Sequence, residues 1–142
     1  MSATAATTSS SASVTALPPR ATRPDDAAAV LVARAALLDA MGLLDAAESI
    51  YRQALDIYAR RPQVARHDIA VALNNLAEIS HAKGRVAEAD DLYRRSLAMK
   101  RDLLPAPRAD ISLTLHNLAV LHESNGDHEQ AGRLLRLALL AA

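Results

Sequence analysis

Cysteine, phenylalanine and tryptophan are absent from this chain of 142 residues, and tyrosine occurs only three times. Without cysteine there is no disulfide, no thiolate nucleophile and no thiolate-based zinc site. The same absence suits a reducing compartment, so a cytoplasmic location is the expectation. With hydrophobic residues at 51% and aromatics at 2%, any core must rest on Leu, Ala, Val and Ile. Strands draw on aromatic and β-branched side chains, whereas small aliphatic ones suit close-packed helices. The fold class expected is all-α.

Charge of one sign is also missing: sixteen basic residues balance sixteen acidic ones. The basic excess and stacking aromatics of a nucleic-acid binder are not there. No apolar run approaches the ~20 residues that span a bilayer. Glycine is scarce and forms no phosphate-cradling loop. His116 and His122 are six apart and so lie on different faces of one helix, and no His-Glu-x-x-His pattern occurs. Asp25-Asp26 and Asp90-Asp91 are neighbours on wet faces and do not converge on a pocket. A serine nucleophile has no base and orienter beside it. The expectation is no enzyme, no metal and no cofactor.

Residues 1–26 read as a tail. Ser2 to Ser13 is almost wholly Ser, Thr and Ala, then comes Leu17-Pro18-Pro19-Arg20, and the first acidic residue is Asp25. Such a segment buries too little apolar area to offset its ordering entropy. It lacks the apolar stretch of a secretory signal. Its Ser/Thr content with Arg20 and Arg23 is like a transit peptide, which keeps an organellar location as the alternative.

What is present is a repeat. Gly42, Gly84 and Gly126 are 42 residues apart, and on that period Leu31, Leu73 and Leu115 align. So do Ala35, Ala77 and Ala119; Ala47, Ala89 and Ala131; Arg52, Arg94 and Arg136; and Leu55, Leu97 and Leu139. Ile50, Leu92 and Leu134 stay apolar. Each copy reads as two amphipathic helices around its glycine, which suits a left-handed helix cap. Pro62, Pro105 and Pro107 separate the copies. The aligned alanines are the natural contacts between antiparallel helices, which approach to ~8–10 Å only over small side chains. The copies are placed at 27–68, 69–110 and 111–142.

These residues resemble the tetratricopeptide repeat, in the 42-residue variety of the kinesin light chain group. The likeness rests on Ala72-Leu73-Asn74-Asn75-Leu76-Ala77, Lys83-Gly84-Arg85, Ala87-Glu88-Ala89 and Leu92-Tyr93-Arg94-Arg95-Ser96-Leu97. The third copy repeats it as His116-Asn117-Leu118-Ala119 and Asn125-Gly126. The first copy departs from it at Arg34, where the others carry Leu76 and Leu118. The resemblance implies an α-solenoid of three helical hairpins, a right-handed superhelix whose first helices line a concave groove. It further implies an adaptor for a peptide or partner protein.

If Leu73, Leu76, Ala77 and Ser80 face the partner helix, the adjoining stripe is Val71, Asn74, Asn75 and Glu78, repeated as Leu113, His116, Asn117 and Val120. These eight are the candidate ligand-binding residues. An Asn amide both donates and accepts, so it can bond an extended peptide backbone; alternatively the amides tie neighbouring repeats together. Family members that clamp a C-terminal carboxylate use basic residues on this face. Ala29, Val71 and Leu113 stand there here, so an apolar peptide or helix is the better ligand. The last helix offers a second surface. Leu137 replaces Gln53 and Arg95, and Leu140 replaces Asp56 and Ala98. Leu134, Leu137 and Leu140 are the candidates for self-association, or for cover by a neighbouring repeat if the sequence is part of a longer array.

Overall fold

The computed structural model describes residues 24–61 and 65–142. Among the described residues six helices follow one another: α1 Pro24–Ala40, α2 Leu44–Tyr58, α3 Arg66–Ala82, α4 Val86–Arg101, α5 Arg108–Ser124 and α6 His128–Ala141. No strand occurs among the described residues. The 42-residue period survives into three dimensions: first helices begin at 24, 66 and 108, and second helices at 44, 86 and 128.

The first helix, α1, begins at Pro24, two residues before the expected end of the tail at residue 26. Proline opens a helix readily, because its missing N–H is one the first turn leaves unbonded anyway. The remainder of the tail, residues 1–23, lies outside the described residues.

Each hairpin turns on its glycine. Gly84 has φ of 76°, a left-handed conformation that costs other residues a clash at Cβ. Its N–H donates to the His81 carbonyl at 2.9 Å and the Arg85 N–H to the Ser80 carbonyl at 2.8 Å. This pair of bonds is a Schellman cap. Gly42 and Gly126 repeat it.

Within hairpins the helices meet at alanine. Ala35 and Ala47, Ala77 and Ala89, and Ala119 and Ala131 are all buried. Each first helix packs on its own second helix, α2 stacks on α3, and α4 on α5. The first helices also touch each other, α1 to α3 and α3 to α5, whereas the second helices show no comparable contact. The layer of first helices is therefore the shorter, inner side of the curve. The core carries Leu73, Leu76, Ile79, Leu115, Leu118 and all three tyrosines.

An acidic hub clamps the first two hairpins together on the outside. Glu48 accepts from Arg52 at 2.9 Å, from Lys83 at 2.8 Å and from Arg85 at 2.6 Å. Lys83 also reaches Asp45, and Arg52 reaches Glu88. The Lys83 bond above all, helped by Arg52 and Arg85 against the opposing effect of burial, brings the Glu48 pKa down to about 2. Glu48 and Arg52, four residues apart on one helix, thus also tie the two hairpins together. The next stack has a smaller version: Asp90 accepts from Arg94 at 2.9 Å and lies 2.8 Å from His122 Nε2.

Candidate functional site

The open stripe of the inner layer follows from helical spacing. On α3 the half-buried or exposed residues run Val71, Asn75, Glu78 and Ala82, four and three apart. On α1 the same positions are Ala29, Ala33, Ala36 and Ala40, all exposed. On α5 they are Leu113, Asn117, Val120 and Ser124. The groove floor therefore changes along its length, from small alanines, through an amide and a carboxylate, to leucine and valine.

Behind the stripe a polar chain joins the second and third hairpins. The Lys100 ammonium, in a residue only 5% exposed, donates to Thr114 Oγ1 at 2.7 Å. Thr114 in turn donates to Asn74 Oδ1 at 3.4 Å. Asn74 Nδ2 donates to Glu78 Oε1 at 3.2 Å, and Asn117 Nδ2 donates to the same oxygen at 3.4 Å. Burial lowers the Lys100 pKa, with Asp110 and Glu78 opposing. Much of Glu78 is open to solvent, yet desolvation of its carboxyl raises its pKa above the ordinary value, against the Asn74 bond. Across the first stack the Tyr51 hydroxyl is buried without a hydrogen bond of good geometry. Burial raises its pKa, and the Asn75 amide beside it tempers that rise.

Two expected site residues are corrected by this geometry. Asn74 is 9% exposed and committed to Glu78 and Thr114, so it ties repeats together and does not face a ligand. Leu134 is 4% exposed. It occupies the core position of Ile50 and Leu92, which the repeat keeps apolar for packing. Val71, Asn75, Glu78, Leu113, His116, Asn117 and Val120 are at least partly accessible, as are Leu137 and Leu140.

The comparisons with known proteins bear on this arrangement. The tetratricopeptide repeat profile matches residues 26–102 and 68–142. The chain belongs to the tetratricopeptide repeat family. Its copies repeat with a period of 42 residues, as the glycines at 42, 84 and 126 mark. No curated protein matches the sequence. Among solved structures it is similar to BtubC (BKLC) from P. vanneervenii, with a TM-score of 0.76 and 24% identity over 82% of this chain and 47% of that one. The chain thus spans about half the length of BtubC. It is also similar to the N-terminal domain of stress-induced protein-1 (STI-1) from C. elegans, with a TM-score of 0.69 and 14% identity over 84% of this chain and 87% of that domain. At these identities both likenesses carry the fold alone. Tetratricopeptide repeats are generally protein–protein interaction modules.

Within this tetratricopeptide array the residues that sequence reasoning passed over are Lys100 and Thr114. Both depart from the repeat: Lys100 stands where the other copies have Tyr58 and Ala142, and Thr114 where they have Val30 and Ala72. Two polar departures at positions otherwise apolar were the available signal, and they prove to be each other's partners. Three of the five histidines are held by bonds, His122 to Asp90 as described above. His81 Nε2 lies 2.9 Å from Ser124 Oγ, and His128 lies 2.9 Å from Glu123. No group of three potential metal ligands occurs among the described residues.

Proposed function

We propose that this chain is an adaptor that holds a segment of a partner protein along the stripe Val71, Asn75 and Glu78, continued by Leu113, Asn117 and Val120. The observation that carries the reading is Glu78. Two amides converge on its Oε1, and among the described residues Oε2 takes no bond. A partly desolvated acceptor held in this way favours a donor from a ligand, either a backbone N–H or a basic side chain. Beside it, Leu113 and Val120 offer apolar contact, and the alanines of α1 leave room for the chain to continue. A peptide that is apolar at one end and donates near its middle fits this floor. The cytoplasm is the proposed location, on cysteine usage alone.

The test is affinity capture with three baits: the wild type, Asn75→Ala with Glu78→Gln, and Leu139→Glu. The glutamine keeps an oxygen for Asn74 and Asn117, so the stack is preserved. Proteins held by the wild type and Leu139→Glu but lost from the groove variant support the reading. Retention by all three baits rejects the groove.

A further inference from the structure

The third hairpin ends in a face that is apolar where its predecessor is polar. At the 42-residue period Asn74, Glu78 and Lys100 become His116, Val120 and Ala142, and Val71, Tyr93 and Leu97 become Leu113, Leu135 and Leu139. On the second hairpin this surface receives α5: Lys100 and Asn74 meet Thr114, Glu78 meets Asn117, and Tyr93 and Leu97 are buried. On the third hairpin Leu113 is 56% exposed and Leu139 78% exposed. They border a cleft of about 550 Å³ that is mostly apolar and also walled by Ala109, Ser112, His116, Leu135 and Ala138. The face continues an interface the molecule already uses, with its hydrogen-bonding groups replaced.

That replacement decides what can sit there. A helix patterned like α5 brings a threonine and an asparagine to these positions; the threonine would find His116 and Ala142 in place of Asn74 and Lys100, and the asparagine would find Val120, which offers it no acceptor. Each polar group buried without a partner costs ~1–3 kcal/mol. The first helix of another copy, docked head to tail, presents Arg34 where α3 and α5 have Leu76 and Leu118. Its guanidinium would enter a mostly apolar cleft whose lining includes no acid to pair with it, which is more costly still.

We propose that the occupant is the same face of a second copy, related by a two-fold axis. An isologous contact needs a self-complementary surface. Leu113 and Leu139 project from this one, and the small residues Ala109, Ser112 and Ala138 hollow it. The ends of α5 agree in charge. Arg108 lies at one end, where its Nε donates to the Ala141 carbonyl at 3.4 Å. Glu123 lies at the other, lining a second hollow of about 160 Å³. With the two copies of α5 antiparallel, each Arg108 meets Glu123 of the other copy. Equal numbers of acids and bases leave no net repulsion between the molecules.

Sedimentation equilibrium of the full chain over a concentration series tests this. The expected mass rises toward twice 15.1 kDa. Leu135→Glu with Leu139→Glu should sediment as a monomer with unchanged helicity. Arg108→Glu should weaken the dimer by about tenfold, and adding Glu123→Arg should restore it; this pair carries the test if the leucine variant loses structure. Val30→Glu, at the opposite end of the array, should leave the mass unchanged. A single-chain mass at every concentration overturns the proposal. So does a dimer insensitive to both the leucine and the charge changes, or a mass that climbs past two chains and collapses with Val30→Glu.

Discussion

Lys100 Nζ and Thr114 Oγ1 are 2.7 Å apart, and the bond joins the second helix of one hairpin to the first helix of the next. Its position explains why the asparagines of the inner layer are not all alike. Asn74 sits inside the stack at the end of this bond, whereas Asn75, one residue on, is turned 100° away toward the groove.

Removing the hydroxyl should cost more than removing the pair. Thr114→Val leaves a buried ammonium without its acceptor and should destabilise by ~1–3 kcal/mol. Thr114→Val with Lys100→Met should recover much of that loss. Urea denaturation of the two single variants and the double checks the cycle, and additive losses would show that the contact carries no coupling.

The glycines should divide by backbone angle. Gly84→Ala forces alanine into a φ of 76° and should destabilise by ~1–2 kcal/mol. Gly132 lies inside α6, where an added Cβ meets Arg136 at an ordinary 3.7 Å. Gly132→Ala should therefore stabilise by ~0.5–1 kcal/mol. Thermal melts followed by circular dichroism will separate the signs.

Core register is tested by truncation. Leu73 and Leu97 are both buried, and Leu→Ala at either site should cost ~2–5 kcal/mol. A loss below ~0.5 kcal/mol at both would contradict this packing, since surface changes fall in that range.

Acid should loosen the first stack selectively. Glu48 titrates at about 2 in the fold against an ordinary 4.5. A carboxyl whose folded pKa is depressed stabilises fully above its unfolded pKa, and that contribution is lost as pH falls toward the folded value. The melting temperature of the wild type should therefore exceed that of Glu48→Gln at neutral pH. The gap should shrink as pH drops from about 4.5 toward 2, where Glu48 itself becomes protonated. A gap independent of pH would mean that the hub contributes no electrostatic stability.

Most of the architecture was legible in the sequence because the repeat is regular. The glycine spacing located the turns, and the aligned alanines located the helix contacts. What spacing alone left open was the direction in which adjacent residues point once hairpins stack. Asn74 and Asn75 look alike in a list of residues, yet one faces the following hairpin and the other the groove. Leu134 and Leu137 look alike too, but only Leu134 has the core register of Ile50 and Leu92. Glu48 reads as half of an i,i+4 pair, and its hub role depends on Lys83 and Arg85, which arrive from the next turn. Arg34, an irregularity in the motif, is exposed on α1, whereas Leu76 and Leu118 at the same repeat position are buried.

The groove itself is best tested by position-specific photocrosslinking in cells. A photoreactive side chain is placed at Asn75 and at Ala82 on the inner stripe, and at Asp56 on the exposed outer face of α2. The account predicts covalent adducts with a common partner from positions 75 and 82 and none from 56. Adducts from 56 alone, or the same adducts from all three, would contradict it.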